Sequence, residues 1–202
     1  MKPLIKICGI SNLDFLNEVI VLNGVHFIGF IFHETSPRNV TEDFLNAIID
    51  YDFQDKRPVC VYVNATSDFI NKTSSYFKNP IIQFHGDETN QFCVSFNKDF
   101  WKVVRMKDSH SIDDVNNYPD ASAILLETYK KGIHGGTGES FDWKLFENAN
   151  LQHKIVLSGG INIQNVDNAI SIQPWCIDIN SGIETSAGIK DISLAKNILQ
   201  KF

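Results

Sequence analysis

The chain has 202 residues, of which 43% are hydrophobic and 21% charged, a composition typical of a globular protein with one sizeable core. Its net charge of −6 argues against a nucleic-acid surface, which needs a basic face, although a local site can still bind a small anion. No apolar stretch reaches the ~20 residues of a membrane span. The four cysteines form no C-x-x-C pair and no secretory signal precedes them, which indicates reduced thiols in the cytoplasm.

Short runs rich in Ile, Val and Phe recur along the chain and predict parallel strands covered on both faces. These runs are residues 4–8, 27–32, 58–63, 81–85, 100–106, 123–127, 154–158 and 176–180. Segments with helical spacing lie between most of them. The predicted helices are residues 12–23, 41–51, 66–77, 141–150, 162–171 and 191–202, with a single turn at 111–118.

This alternation predicts the α/β class and a single (β/α)₈ TIM barrel of parallel strands that spans residues 1–202. A unit of roughly 25 residues is near the minimum for a strand, a helix and two turns. A doubly wound open sheet is the alternative. It is weakened because the G-x-G-x-x-G of a dinucleotide fold is missing after the first strand.

Active sites of such barrels lie where the strands end, so polar residues at strand ends are the candidates. They are Cys8, His85, Glu127, Ser158, Asn180 and the loop residue Arg38. Side chains alternate along a strand, so Lys6 should point into the barrel together with Cys8. Strand eight closes against strand one, and we therefore predict an ion pair between Lys6 and Asp178 inside the barrel.

Strands one and six lie nearly opposite each other in an eight-stranded ring, so Cys8 and Glu127 should face each other across a small ligand. Two such groups suit paired acid–base chemistry. The stretches 158–160 ("SGG") and 180–182 ("NSG") end strands seven and eight, where this fold commonly binds phosphate. A third glycine-rich loop, 133–143, is long enough to cover the site.

Each of these features also has a purely structural interpretation. A lone cysteine in a strand is usually a small core residue, and we interpret Cys60, Cys93 and Cys176 in that way. Arg38 could be a surface charge, and the glycines could form ordinary turns before helices. The "HGDE" stretch at 85–88 is interpreted as a turn that orders its loop.

Several segments together resemble the phosphoribosylanthranilate isomerase family, in that family's order: "KICGI", "SPRNV", "IIQFHGDE", "GGTGESFDW", "LSGGINIQNV" and "DINSGIETSAGIKD". The resemblance runs from residue 4 to about residue 192. It implies a TIM-barrel isomerase of tryptophan biosynthesis. The implied reaction is the Amadori rearrangement of N-(5-phosphoribosyl)anthranilate to 1-(2-carboxyphenylamino)-1-deoxyribulose 5-phosphate, an aldose–ketose isomerisation without metal or organic cofactor.

The resemblance also implies roles for individual residues. Cys8 would be the general base, Glu127 the general acid, and Arg38 the ligand of the anthranilate carboxylate. The phosphate would be bound by Gly159, Gly160, Ser181 and Gly182. Independently of the resemblance, strand alternation makes Gln83 and Asp178 candidates for supporting the substrate-binding site. The thiol needs a positive neighbour to ionise, and Lys6 is the candidate.

Two residues depart from the family pattern: Glu127 stands where Asp is usual, and Asn180 where Ser is usual. Glu127 keeps open the alternative of a non-catalytic, phosphate-ligand-binding barrel derived from this family. Another phosphosugar enzyme, such as an epimerase or an indole-forming lyase, is a further alternative, but a metal-dependent epimerase would want more His and Asp ligands at strand ends. Because no stretch indicates a dedicated interface, we expect a cytoplasmic monomer that binds neither nucleic acid nor membranes.

Overall fold

The computed structural model describes residues 2–128, 143 and 152–202. Within them, eight parallel strands close into a barrel in chain order, which confirms the predicted (β/α)₈ architecture. The strands are β1 (Leu4–Ile7), β2 (Phe27–Phe32), β3 (Arg57–Tyr62), β4 (Ile81–Phe84), β5 (Phe100–Met106), β6 (Ala123–Thr128), β7 (Ile155–Leu157) and β8 (Cys176–Ile179).

The helices of the described residues pack around this barrel. They are α1 (Leu13–Ile20), α2 (Glu42–Ala47), α3 (Ser67–Ser74), α4 (Asn90–Val94), α5 (Val166–Ser171) and α6 (Ile192–Leu199), with 3₁₀ helices at Ser109–Asn117 and Ser181–Ile183. Three threonines, Thr41, Thr66 and Thr89, each cap a helix by accepting a backbone N–H. In the described part of the chain, no helix has both the length and the apolar character to span a bilayer.

The structure differs from the sequence prediction in three segments. Helix α4 was not predicted, and the expected single turn at 111–118 is a longer 3₁₀ helix, Ser109–Asn117. A two-stranded hairpin, β9 (Glu184–Ser186) with β10 (Ile189–Lys190), was also not predicted. The predicted cover loop 133–143 and helix 141–150 lie outside the described residues, apart from the buried Trp143.

Two layers of apolar side chains form the core. One layer lies between the strands and the helices and includes Ile5, Ile7 and Phe30. The other consists of alternate strand residues that face the barrel interior; its members are Cys8, Phe27, Val59, Val61, Ile81, Trp101, Val103, Ala123, Leu125, Val156 and Cys176. This alternation carries Lys6, Gln83, Glu127 and Asp178 to the interior as well.

Aromatic rings fill the amino end of the barrel. Trp101 packs edge-on against both Phe27, at a centroid distance of 5.0 Å, and Trp175, at 5.8 Å. Phe27 begins β2, Trp101 is the second residue of β5, and Trp175 directly precedes β8. Because this end is packed with rings, the polar residues of the interior are found toward the carboxyl ends of the strands.

Candidate functional site

Cys8 follows directly after β1, and its backbone N–H donates to the carbonyl of Ile179 at 2.9 Å. The residue is 3% exposed. A Cβ at Gly29 on the neighbouring β2 would lie 2.7 Å from the Cys8 Sγ and 3.0 Å from the Lys6 Cε. The glycine at this position therefore makes room inside the barrel for both the thiol and the lysine stem.

Lys6 and Asp178 form the buried ion pair that the sequence predicts. The two residues are register partners across β1 and β8, and the Lys6 Nζ lies 2.9 Å from the Asp178 Oδ1. The Ser158 hydroxyl donates to the other carboxylate oxygen at 3.3 Å. Burial lowers the pKa of Lys6, but the charge of Asp178 and the contact with Cys8 outweigh it and raise the pKa above its ordinary value. Lys6 is therefore a permanent cation beside Cys8.

The thiol itself is not ionised by this cation in the free protein. Burial raises the pKa of Cys8, the charge of Lys6 lowers it and the charge of Asp178 raises it, so the pKa lies above its ordinary value. The positive neighbour predicted from the sequence is present. Its effect on the pKa of Cys8 is outweighed by burial and by the charge of Asp178. Residue spacing in the sequence does not reveal the size of either effect.

Glu127 lies near the end of β6 and is 6% exposed. Its Oε2 is 2.7 Å from the His85 Nε2, a contact that reaches across β5. The Gln83 amide nitrogen lies 3.4 Å from the other ring nitrogen of His85, and Arg105 donates to the His85 backbone carbonyl. The sequence rule placed His85 at a strand end but did not pair it with Glu127.

The turn after β4 is ordered by Glu88. Its carboxylate accepts the backbone N–H of Asn64 at 2.7 Å and that of Gly86 at 3.3 Å. The buried Lys102 donates to the Gly86 carbonyl at 2.7 Å and lies 3.4 Å from the Glu88 carboxylate. These contacts agree with the interpretation of "HGDE" as a loop-ordering turn, and they also fix the position of His85.

Arg38 is buried rather than a surface charge. Its Nε and Nη2 each lie 2.7 Å from a different carboxylate oxygen of Glu184, which begins β9. The Lys190 Nζ donates to the same carboxylate at 2.9 Å and to the Asn180 side chain at 3.0 Å. Sequence analysis missed Glu184 and Lys190, because the hairpin that carries them was not predicted.

The two glycine-rich loops lie against each other at the barrel mouth. Gly159 and Gly160 have φ angles of 95° and 64°, a region that favours glycine. A Cβ at Gly182 would lie 1.9 Å from the carbonyl oxygen of Ile161, so only glycine permits this approach. The backbone at Ser181, the first residue of the short 3₁₀ helix, is thereby placed beside the loop after β7.

Among residues 2–128, 143 and 152–202, no group of three or more His, Cys, Asp or Glu side chains is placed to hold a metal ion. The polar groups of the barrel mouth are instead engaged in pairs, as in the contacts of Lys6, Glu127 and Arg38. That no metal or cofactor takes part stays a prediction.

Comparison with known proteins links this geometry to a family. The family model described as N-(5'phosphoribosyl)anthranilate (PRA) isomerase matches residues 5–201. An N-(5'-phosphoribosyl)anthranilate isomerase of Marinomonas sp. (strain MWYL1) is 39% identical over 201 residues, which cover 98% of this chain and 97% of the relative.

Solved structures agree with the sequence match. Phosphoribosyl anthranilate isomerase from Thermotoga maritima superposes with a TM-score of 0.87 at 29% identity, covering 100% of this chain and 98% of the other. A structure of such an isomerase in complex with reduced 1-(o-carboxyphenylamino)-1-deoxyribulose 5-phosphate gives a TM-score of 0.82 at 29% identity and the same coverage. With the family model matching nearly the whole barrel, this chain belongs to the phosphoribosylanthranilate isomerase family, whose activity is a step of tryptophan biosynthesis.

Proposed function

We propose that this chain catalyses the Amadori rearrangement of N-(5-phosphoribosyl)anthranilate, with Cys8 as general base and Glu127 as general acid. The observation that carries the proposal is the position of these two side chains. Both face inward at the carboxyl end of one barrel, Cys8 directly after β1 and Glu127 near the end of β6, and both are almost fully buried. A sugar bound in the mouth between them would meet a base on one side and an acid on the other.

The first step opens the ribose ring. The C1–O bond breaks, Glu127 delivers its proton to the ring oxygen, and the lone pair of the anthranilate nitrogen forms a C1=N bond. The product of this step is a Schiff-base cation. Its positive charge weakens the C2–H bond, because the electrons left behind can be accepted at nitrogen.

The second step moves a proton and completes an intramolecular redox change. Cys8 as thiolate removes the C2 proton, and the C–H electron pair forms a C1=C2 bond while the C=N electrons return to nitrogen. The resulting enolamine loses its O2 proton and gains a proton at C1. C2 is thereby oxidised to a ketone and C1 reduced to a methylene, with no net gain or loss of atoms.

Substrate charge helps the base to ionise. In the free protein, burial keeps the pKa of Cys8 above its ordinary value. A Schiff-base cation formed next to the sulfur, together with Lys6, adds positive charge that favours the thiolate. The base would thus become active when the first step has produced the cation that it must act on.

The remaining predicted site residues bind or support the substrate. Arg38 would bind the anthranilate carboxylate, since a guanidinium matches a planar carboxylate. Backbone N–H groups of the two adjoining loops would bind the phosphate; these residues are Gly159, Gly160, Ser181 and Gly182. Asp178 would act by holding Lys6, and Gln83 by holding His85, which agrees with the buried Lys6–Asp178 pair and the partly buried contact between Gln83 and His85.

A non-catalytic, phosphate-ligand-binding barrel is the second candidate, and Glu127 is the observation that favours it. Freshly prepared phosphoribosylanthranilate mixed with the purified protein distinguishes the two. An isomerase consumes the substrate, and the anthranilate-type fluorescence falls in proportion to enzyme. If the fluorescence follows the protein-free control while the phosphorylated ligand still binds, the chain is a binding protein.

The assembly, cofactor and location proposals have separate supports. We propose a monomer, although a Thermotoga maritima relative is described as dimeric. Light scattering on the purified protein measures the mass that tests this proposal.

We propose that no cofactor is needed, so turnover should survive dialysis against a chelator. The cysteines of the described chain, Cys8, Cys60, Cys93 and Cys176, are all free, which suits the proposed cytoplasmic setting.

A further inference from the structure

The guanidinium of Arg38 is held along one edge only. Glu184 occupies its Nε and Nη2 with two hydrogen bonds of 2.7 Å, and the two side chains are 9% and 4% exposed. Within the described part of the chain, Nη1 contacts no acceptor. A bidentate fork is the strongest and most directional contact an arginine makes. The edge that carries Nη1 is therefore pre-oriented and available to a ligand.

Glu184 is in turn held by a second cation. Lys190 lies 2.9 Å from its Oε1 and also donates to the backbone carbonyl of Asn180 at 3.1 Å. Burial raises the pKa of Glu184, but the contacts with Arg38 and Lys190 outweigh it and lower the pKa below its ordinary value. Glu184 is thus a fixed anion between two cations, and the three side chains together keep one net positive charge.

Close backbone contacts fix this cluster next to the base. A Cβ at Gly9, the residue after Cys8, would lie 2.8 Å from the Arg38 Cδ and 2.7 Å from the Asn180 Oδ1. On the hairpin, a Cβ at Gly188 would lie 2.6 Å from the carbonyl oxygen of Pro37. The loop after β2 and the hairpin after β8 therefore pack as one unit around the Arg38–Glu184 contact.

We propose that Glu184 is a positioning residue that aims Arg38 at the aryl carboxylate of the substrate, with Lys190 fixing Glu184. The inference rests on the proposed function, because the ligand of Arg38 comes from it. It assigns the β9–β10 hairpin to substrate recognition. Without Glu184 the guanidinium would lose its orientation and turn toward other acceptors, so affinity would fall only for ligands that carry the carboxylate.

A pair of ligands separates this role from a merely structural one. The first is reduced 1-(o-carboxyphenylamino)-1-deoxyribulose 5-phosphate, and the second is the same molecule without the ring carboxylate. In Glu184→Gln, which keeps the side-chain shape, we expect the Kd of the first to rise roughly 10- to 100-fold, as for a misaligned clamp. The Kd of the second should stay the same. KM for the substrate should rise more than kcat falls.

Two further variants complete the test. Glu184→Asp is too short to span both nitrogens and should show the same selective loss, which covers the case that Glu184→Gln does not fold. Glu42→Gln, which removes an exposed pair with Lys72 at 3.5 Å, is the matched control and should change neither Kd.

The outcomes distinguish this inference from the proposed function. Equal weakening of both ligands in the Glu184 variants would overturn it, since Glu184 would then act only on the fold. Unchanged affinity for both ligands would overturn it too. If the wild-type protein neither binds the carboxylate ligand nor consumes substrate, the proposed function itself fails. If the wild type binds the carboxylate ligand and consumes substrate, and the Glu184 variants do so equally well, the proposed function stands and only the positioning role of Glu184 is wrong.

Discussion

On the sulfur side of the barrel mouth, formed by β1, β2 and β8, the proposed reacting group lies beside a buried ion pair, whereas on the carboxyl side, formed by β4–β6, the proposed reacting group contacts a histidine. On the first side, Lys6 pairs with Asp178 and Arg38 with Glu184. On the second, Glu127 contacts His85. The difference matches the two proposed tasks: a base that needs compensating positive charge, and an acid that needs a fixed direction.

Removing either reacting group should have the largest effect on turnover, because the proposed reaction needs both the base and the acid. Cys8→Ser and Glu127→Gln are each expected to lower kcat by roughly 10²- to 10⁴-fold, with binding of the reduced product retained. The fluorescence assay measures the first quantity and calorimetry the second. Cys93→Ser, on the outer helix α4, is the control. Normal turnover in both variants would contradict the assigned roles.

Breaking the Lys6–Asp178 pair should lower the free energy of unfolding in addition to any effect on turnover. Asp178→Asn leaves Lys6 buried and without its counter-ion, which typically destabilises by about 3–5 kcal/mol. Urea unfolding measures the change in the free energy of unfolding. Asp167→Asn, which breaks an exposed pair with Lys201, should cost no more than ~1 kcal/mol. Equal losses in the two variants would mean that the buried pair contributes no more to stability than the exposed one.

On the carboxyl side, His85→Asn should have an intermediate effect. Removing this contact from the buried Glu127 carboxyl should cost about 1–3 kcal/mol, which predicts a fall in kcat of roughly 5- to 150-fold. The effect should vanish when Glu127 is already Gln, since His85 acts through that carboxyl. The exposed His110→Asn is the control. A full additive loss in the double variant would show that His85 acts independently of Glu127.

The pH at which the Cys8 thiol ionises tests the description of the sulfur side. Because burial raises its pKa, the thiolate is the disfavoured form at neutral pH and appears only as pH rises beyond the ordinary thiol range. Thiolate absorbance of the wild type minus that of Cys8→Ser should therefore stay near zero at pH 7. It should increase in alkaline solution. A thiolate signal already present at neutral pH would contradict the dominance of burial over Lys6.

The smallest effect is expected for Glu127→Asp. The variant restores the family's usual residue and keeps the carboxyl chemistry, so activity should be retained, with a fall in kcat well below the roughly 10²-fold that a misplaced catalytic group costs. The same fluorescence assay compares it with Glu127→Gln. An inactive Asp variant would show that the contact with His85 at 2.7 Å is built for the longer side chain.

The sequence predicted contacts that follow from strand order and alternation. The Lys6–Asp178 pair is of this kind, because β1 and β8 are neighbours and both residues face inward. The His85–Glu127 contact is not, since the two strands are separated by β5. The Arg38–Glu184 fork joins a loop to an unpredicted hairpin 146 positions away. The raised pKa of Cys8 depends on burial, which residue spacing alone does not give.

The central claim is that one sugar lies between the Cys8 sulfur and the Glu127 carboxyl. A crystal structure with reduced 1-(o-carboxyphenylamino)-1-deoxyribulose 5-phosphate tests it most directly. We expect the phosphate at Gly160 and Gly182, and C2 of the sugar roughly 3–4 Å from the Cys8 Sγ, as a reactive geometry requires. A ligand bound instead in the cavity of about 410 Å³ at the amino end, beside Phe202, or with its sugar out of reach of either side chain, would contradict the account.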